Sequence, residues 1–529
     1  MQHGRDQRAT ERGDEMAQAF EGGRARRLPP ELAMLRVTNA RHRLPAVFGT
    51  GLLIFLALGV MIGAGIFSLA GIQAATMAGP AVIASFGIAS VVCLLAALSY
   101  AELSSTIPAA GSAYTFTYVA FGEIWAWVVG WALVLELVVA AALVSRVWAA
   151  YLVATLDGFG VAVPSAFAEH AQIDAGIGWV AAALVVILML LVMFGTKLSG
   201  RVLATIVSVK LVAVIAVIAV GAREIDTANY TPFVPEVVED AGARGSVLQS
   251  LLGGSGDAFG ILGIFTAAGV IVFAFIGFDL IATVAEDAHE PRRSIPRAML
   301  AAIGIVTALY VAMAAVLVGI RPYQELGTDA PVSDALEAVG TGWAADVINI
   351  GALLALTTVV LVVLIAQSRV LFAMGRDGLL PPILSRVGAE STPTAAAGVA
   401  GTAAALLALD PGTALREQLL VLGTLFAFGF CAVGVISLRR TQPTLERGFR
   451  VPLVPLVPGL SLLATVWLSL NLEPTTWRDF GIWMVVGLVL YLIYGRQHSA
   501  LVGSHDPGLD DIPTPTPRRP YGGSHRADI

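Results

Sequence analysis

The chain has 529 residues, of which 57% are hydrophobic and only 13% are charged, and its mean hydropathy is +0.80. A soluble protein carries about 25% charged residues, so the composition excludes a soluble globular protein and predicts a chain that crosses a membrane many times. The net charge of -6 identifies no partner, because positive and negative residues are distributed unevenly among the loops. Cys93 and Cys431 both lie in apolar segments and indicate no disulfide framework.

Polar segments flank the apolar part of the chain. Residues 1–43 are polar and contain arginine, and they lack the short apolar region and cleavage site of a secretory signal peptide. Residues 496–529 include the run PTPTPRRP. These compositions predict two disordered cytoplasmic tails around a membrane domain that covers residues 44–495.

The apolar part divides into about twelve predicted spans. Residues 44–101 carry no charge, and the Gly79-Pro80 turn in their middle separates spans 1 and 2. Spans 3 to 12 are predicted at 121–153, 177–196, 200–221, 263–285, 298–320, 346–372, 394–409, 417–438, 453–472 and 480–495. Between spans 2 and 3, the uncharged run LSSTIPAAGSAYTFTYVAFG predicts an amphipathic or re-entrant piece near residues 103–122.

Loop charges orient these spans. If the N-terminus is cytoplasmic, the loops predicted inside carry most of the arginine residues near the spans, whereas an outer loop such as REIDTANYTPFVPEVVED is acidic. An excess of Lys and Arg marks the cytoplasmic side. We therefore expect a multi-pass protein of the plasma membrane with both termini inside the cell.

Two spans contain glycine where a helix should continue. Span 1 includes VMIGAGIFSLAG around Gly65, and span 6 includes VFAFIGFDLIATVAED around Gly277. The two sites lie five spans apart, which predicts two inverted halves, and interrupted spans at matching places point to a transporter binding site. Broken ends offer free N–H groups to a carboxylate and free carbonyls to an amine, as a zwitterionic amino acid requires. The alternative is close helix packing, which Gly59 and Gly63 also fit.

Lys210 is the most informative charge inside a span. It is one of two lysines in a chain that otherwise uses arginine, and it lies near the middle of span 5. Lysine can release its proton in an apolar environment and arginine cannot, so Lys210 is a candidate proton carrier, with a structural lysine as the alternative. Glu136 in span 3 is its candidate partner, a contact for a cationic substrate, or a structural hydrogen-bonding group.

Two further charges lie within spans. Asp279 follows the predicted break in span 6, and its expected role is to cap the helix that resumes there. Arg146 lies nearer the outer end of span 3, where we expect it to extend toward the membrane surface, with gating of an outer vestibule as the alternative.

Long ordered segments resemble a known family. They are GAGIF in span 1, YAELSSTIPAAGSAYTFTYVAFGEIWAWVVGWALVLE through spans 2 and 3, FAFIGFD with AEDAHEPRRSIPRA at span 6, and LLALTTVVLVVLIAQSRVLFAMGRDGLLPP at span 8. Together they resemble the amino acid–polyamine–organocation permeases, in the bacterial branch similar to cationic amino acid transporters. The resemblance covers residues 44–495. It implies an all-α LeuT-type fold with inverted repeats at about 44–221 and 263–438, and two extra helices at about 453–495.

The resemblance also implies a binding site. The substrate carboxylate would meet the unwound part of span 1, and the substrate amine would meet carbonyls of span 6. Phe278 would close over the substrate, and Lys210 would take the place of a sodium ion. The implied substrate-binding residues are Gly63, Ala64, Gly65, Ile66, Phe273, Ala274, Ile276 and Phe278. Ala64 departs from the Ser or Thr of many relatives, which removes one hydroxyl from the carboxylate site.

The function expected from these features is amino acid uptake by proton symport with alternating access. Exchange of an amino acid for a polyamine is the alternative on the same fold, and Thr357 and Thr358 keep a sodium site open. An enzyme is not expected, because no HExxH or GxSxG motif occurs, and a channel or sensor is a further class. The expected partners are a neutral or cationic amino acid, the proton and the lipid bilayer, with a small accessory membrane subunit left open. No nucleic acid, metal or cofactor is expected.

Overall fold

The structure is a computed structural model that describes most of the membrane domain. The described residues are 27–30, 49–63, 65–109, 111–160, 173–194, 200–238, 245–251, 257–283, 285, 288–328, 330–340, 342–388, 392–410, 412 and 417–501. The two predicted tails lie almost entirely outside these ranges, so their disorder stays a prediction. Residues 27–30 and 496–501 are exceptions. Leu28 is buried and its N donates to Tyr118 O (3.4 Å), Ala500 N donates to Asp377 O (3.0 Å), and Ser499 Oγ donates to Glu123 Oε2 (2.5 Å). The first residues of the predicted C-terminal tail therefore belong to the folded part.

Every predicted span has a helical counterpart. Among the described residues, nine helical stretches are long and apolar enough to cross a membrane by length and composition, and shorter apolar helices supply the rest. The spans are Thr50–Met61 continued from Gly65 to Ala78 (span 1), Val82–Thr106 (2), Glu123–Gly158 (3), Ile173–Met193 (4), Gly200–Gly221 (5), Gly260–Phe275 with Leu280–Thr283 (6), Pro291–Ile320 (7), Gly342–Arg376 (8), Thr394–Ala408 (9), Glu417–Thr441 (10), Leu456–Leu470 (11) and Pro474–Leu490 (12). We call the side on which span 1 begins the inner side.

Several spans extend beyond their predicted bounds, most clearly spans 7, 8 and 12. Spans 7 and 12 begin at Pro291 and Pro474, because proline is favourable at the first helical position, where no N–H donor is needed. Span 8 extends from Gly342 to Arg376. The hydropathy of its polar ends does not predict that they lie in the membrane, yet the helix continues through them.

The segment between spans 2 and 3 contains a short helix, Ala113–Phe121. Its residues from Ala113 to Ala120 are all buried. An amphipathic helix on a membrane surface would leave one face exposed, so the amphipathic alternative is wrong, whereas burial does not contradict the re-entrant alternative. The segment is instead folded into the inner side of the protein, where the Tyr114 hydroxyl donates to Asp377 Oδ2 at 2.7 Å.

The packing of the spans follows the predicted inverted repeat. Extensive contacts join span 2 to span 7, span 3 to span 8 and span 4 to span 9, which are equivalent helices of the two halves. The contact of span 5 with span 8 has its counterpart in that of span 10 with span 3. Likewise, span 1 packs on span 7 as span 6 packs on span 2. These pairs place spans 1 and 6 at the centre, where their breaks meet.

A buried carboxylate ties the inner ends of the spans together. Glu102, at the inner end of span 2, accepts bonds from Arg439 Nε (2.8 Å) and Nη2 (2.6 Å) and from Val451 N (2.7 Å). Arg447 Nε lies 3.3 Å from the same carboxylate. The loop between spans 10 and 11 is therefore fastened to span 2 by charge-assisted bonds, which are stronger than neutral ones.

We predict that Glu102→Gln lowers the free energy of unfolding by about 2–3 kcal/mol, because it leaves two guanidinium groups without their carboxylate. Thermal unfolding in detergent measures the effect. The matched control is Glu325→Gln, which removes the exposed pair of Glu325 with Arg321 and should change stability by about 0.5 kcal/mol or less. Equal effects of the two substitutions would contradict the assigned importance of Glu102.

Candidate functional site

The break in span 1 lies where the glycine pattern predicts it. The first helical part ends at Met61, Ile62 N donates to Leu58 O (2.9 Å), and Ile62 leaves the helical conformation with φ -76° and ψ 87°. Helical structure resumes at Gly65 with a π-helical turn, Gly65–Leu69. Ala64 lies outside the described residues, so its expected contact with a carboxylate stays a prediction.

The break in span 6 has a similar form. The helix ends at Phe275, Ile276 is extended, and Gly277 has φ 134°, a conformation that only glycine adopts readily. Helical structure resumes at Leu280 and continues to Thr283. Both predicted interruptions are thus present, and both halves of each span have ends inside the protein.

The two breaks lie against each other. A Cβ atom on Gly65 would lie 2.3 Å from the Cβ and 2.6 Å from the Cα of Ala274 in span 6. A Cβ atom on Gly277 would lie 2.9 Å from Val60 Cβ in span 1. The glycines therefore fit both interpretations, a broken helix and close helix packing. They permit the unwound backbone and also let spans 1 and 6 approach closely.

Lys210 provides hydrogen bonds that the break in span 1 removes. A helix that ends at Met61 leaves its last carbonyls without intrahelical donors. Lys210 Nζ donates to one of these, Gly59 O, at 2.9 Å, and also to Ala355 O of span 8 at 2.9 Å and to the Thr358 hydroxyl. The three donors of an ammonium group thus meet three acceptors. Lys210 is 1% exposed and joins span 5 to spans 1 and 8.

Tyr310 in span 7 serves both breaks, and the sequence analysis missed it. Its hydroxyl contacts Met61 O at the end of the first half of span 1 and lies 2.9 Å from Ala274 O near the end of the first half of span 6. The single hydroxyl proton can be donated to only one of these carbonyls at a time. The signal in the sequence is weak, because a tyrosine within an apolar span is also an ordinary core residue.

Glu136 is not the partner of Lys210, and this prediction is wrong. Its side chain packs toward Gly423 in span 10, whereas the acceptors of Lys210 belong to spans 1 and 8. Neither carboxylate oxygen of Glu136 has a hydrogen-bond partner among the described residues, and the side chain is fully buried. The Thr424 hydroxyl on span 10 donates instead to Leu420 O at 3.2 Å.

Asp279 and Arg146, the two further charged residues predicted within spans, bond to the backbone at a break and at a helix end. Asp279 precedes the resumed helix of span 6, as expected, but its Oδ1 accepts from Gly277 N at 3.0 Å and so fixes the unwound segment itself. Arg146 Nη1 donates to Ala408 O at 3.0 Å, and Ala408 is the last residue of span 9. Arg146 is buried and caps that helix end, which replaces the expected extension to the membrane surface. In the described ranges, no group of three His, Cys, Asp or Glu residues is placed to hold a metal ion.

The remaining predicted residues surround the two breaks in a closed arrangement. Ile66, Phe273, Ala274 and Ile276 are all buried. Phe278 is fully buried on the inner side of the breaks, where its ring contacts those of Tyr100 (centroids 5.8 Å apart) and Phe428 (5.3 Å). Phe278 therefore helps to close the inner side in this structure. Its expected contact with substrate stays a prediction.

The inverted repeat and the paired breaks match the LeuT-type transporter fold, and comparison with solved structures agrees. The structure of MhsT in complex with L-phenylalanine matches with a TM-score of 0.53 at 14% identity, covering 83% of this chain and 97% of that one. At this identity the likeness shows the fold alone.

Sequence comparison shows the family. The amino acid permease family model matches residues 48–491, and the chain belongs to this family. Relatives include the branched-chain amino acid permease BcaP of Bacillus subtilis (39% identical, 88% of this chain and 97% of the relative) and a methylthioribose transporter of the same species (37%, 85% and 93%). Cationic amino acid transporter 1 of Arabidopsis thaliana is 28% identical over 84% of this chain and 81% of its own. The protein is a multi-pass membrane transporter and not an enzyme.

We predict that Gly65→Ala abolishes transport, because the added methyl group overlaps the backbone of Ala274 and costs about 1–3 kcal/mol of packing strain. Uptake of labelled amino acids into proteoliposomes measures this. Gly87→Ala in span 2 is the control, since nothing lies within 4 Å of the Cβ that it would add. Normal uptake by Gly65→Ala would show that the two breaks need not touch.

We also predict that Tyr310→Phe weakens apparent substrate affinity by about fivefold to tenfold, because the carbonyls at both breaks lose one hydrogen-bond donor. The Michaelis constant for uptake is the measurement. Tyr230→Phe is the matched control: its hydroxyl donates to Ala315 O (2.9 Å), also on span 7 but toward the outer end. If both variants behave alike, Tyr310 does not position the breaks.

Proposed function

We propose that this protein transports amino acids with neutral aliphatic side chains by proton symport, and that it does so across the plasma membrane with both termini in the cytoplasm. The observation that carries the proposal is the bonding of Lys210, which connects the edge of the break in span 1 to span 8. The excess of arginine in the inner loops supports the orientation.

The breaks suit the two poles of an amino acid. The helix that resumes at Gly65 directs its N-terminal end toward the break in span 1, and such ends attract carboxylates. The helix that ends at Phe275 directs carbonyls toward the break in span 6, and these attract an amine. Because Gly65 touches Ala274, the two poles of the site lie close enough for one small zwitterion.

The side chains around the breaks favour an apolar substrate. Val359 of span 8 lies against Gly63, and Val60 of span 1 lies against Gly277. Relatives named as branched-chain amino acid permeases, in Bacillus subtilis and in Lactococcus lactis, are 39% and 35% identical to this chain. A cationic substrate is the second candidate, because Glu136 is a buried acid with no hydrogen-bond partner among the described residues.

The number of hydrogen-bond donors on Lys210 supports proton coupling. An ammonium group supplies all three bonds to Gly59 O, Ala355 O and Thr358, whereas the neutral amine has only two N–H groups. Release of the proton therefore removes one of these three donated bonds, and loss of the bond to Gly59 O would free the first half of span 1 to move. Glu136 is a second candidate proton carrier, for which its burial without a partner is the support.

The test uses Lys210→Met in proteoliposomes. We expect this variant to lose accumulation of labelled leucine under an imposed pH gradient, because the proton no longer controls the link to span 1. Counterflow exchange at equal pH on both sides should persist, and its persistence shows that the variant folds and binds.

Lys197→Met is the control, since Lys197 is the other lysine and lies in a predicted inner loop. Concentration of leucine by Lys210→Met under the pH gradient would remove Lys210 from the coupling. A wild-type protein that exchanges amino acids and polyamines without responding to pH would be an exchanger. A panel that includes arginine and methylthioribose tests the substrate class.

A further inference from the structure

A pocket lined by arginines lies on the inner side, away from the breaks. It has a volume of about 180 Å³, is formed where span 10 ends and the loop to span 11 begins, and is lined by Arg439, Pro443, Arg447 and Arg450. Three guanidinium groups thus face one small cavity. Nothing in the transport cycle proposed above uses it.

The charges of this arginine pocket are only partly balanced. Glu102 does not line the pocket but pairs with two of the arginines that do, Arg439 and Arg447. Arg450 is exposed, and no carboxylate of the described ranges pairs with it. Glu446, from the same loop, is paired with Arg292 of span 7 at 2.5 Å and is not available. Among the described residues, one carboxylate therefore pairs with two of the three arginines, and Arg450 adds a further positive charge.

The pocket is held open by bonds to the backbone. Arg447 donates to Leu445 O (2.9 Å) and Gln442 O (3.0 Å), and Arg439 donates to Val451 O (2.8 Å). Burial lowers the pKa of Arg447, Glu102 opposes this effect, and the charges of Arg439 and Arg450 add to it. Arg439 and Arg447 are thus fixed close together although they repel each other, and the exposed Arg450 adds a third positive charge. This concentration of positive charge favours an anion.

Phosphate is the anion that this geometry suits. Planar guanidinium groups bind phosphate oxygens through paired, charge-assisted hydrogen bonds. The N–H donors of Arg447 are already engaged by four backbone carbonyls and by Glu102. The exposed Arg450 therefore supplies donors to the phosphate, and Arg447 contributes only its charge. A stripe of exposed leucines begins three residues after Arg450 and continues along span 11; its members are Leu453, Leu456, Leu460 and Leu463. In a bilayer this stripe faces acyl chains, so a lipid could place its phosphate in the pocket and its chains along the stripe.

We propose that the arginine pocket binds a phosphate group, supplied by the headgroup of an anionic phospholipid. Basic pockets beside transmembrane helices at the cytoplasmic surface recognise such headgroups. Because the loop is bonded to span 2 through Glu102 and to span 7 through Arg292, the bound lipid also strengthens the inner ends of these spans. A soluble phosphate compound presents the same chemistry and is distinguished below.

The test compares two single substitutions in the full-length protein, purified in detergent. Arg450→Gln removes a positive group that has no partner among the described residues, and Arg440→Gln removes an exposed neighbour that does not line the pocket. Short-chain phosphatidylglycerol, short-chain phosphatidylcholine and inorganic phosphate are titrated separately, and binding is measured by native mass spectrometry and by the shift in thermal unfolding.

We expect phosphatidylglycerol to bind to the wild type and to Arg440→Gln alike, and to bind about fivefold more weakly to Arg450→Gln. Phosphatidylcholine should bind weakly to all three, because its choline group is cationic. If inorganic phosphate binds as tightly as phosphatidylglycerol, the pocket is still a phosphate site, but its ligand is a soluble compound. Equal affinities of the two variants, or no preference for either anion, would overturn the proposal.

Discussion

The backbone carbonyls that span 1 leaves unpaired at Met61 must find donors inside the protein, because no water reaches a packed membrane helix from the lipid. Lys210 and Tyr310 are those donors, and they come from spans 5 and 7. The structure around the two breaks depends on these side-chain hydrogen bonds, which replace the backbone hydrogen bonds of a continuous helix. Without them the break would expose polar groups that cost several kcal/mol each to bury.

Side-chain donors differ from helix bonds in one functional respect, which is that they can be exchanged. Tyr310 lies within reach of carbonyls from both broken spans and can donate to only one, and the bonds of Lys210 depend on its proton. An intact helix has no such alternatives. The same break that exposes polar backbone groups therefore also creates links whose number can change.

Much of the fold could be predicted because membrane insertion imposes simple patterns. The sequence alone predicts the apolar spans, the positions of Gly65 and Gly277, and the scarcity of lysine around Lys210. The partner of Lys210 could not be predicted, because it depends on which face of each helix is turned inward. Glu136 was the obvious opposite charge, yet span 3 turns that face toward span 10. Tyr310 escaped notice because its hydroxyl carries no charge and its ring suits an apolar core.

The internal repeat explains why Lys210 and Glu136 are not paired. Span 5 packs beside spans 1 and 8, and the equivalent span 10 packs beside spans 6 and 3. Lys210 lies in the first of these contact regions, and Glu136, on span 3 against span 10, lies in the second. The two halves share a backbone plan but carry opposite chemistry at corresponding places. The side chains in which the two halves have diverged, and not their shared backbone plan, therefore determine which buried charge each contact region holds.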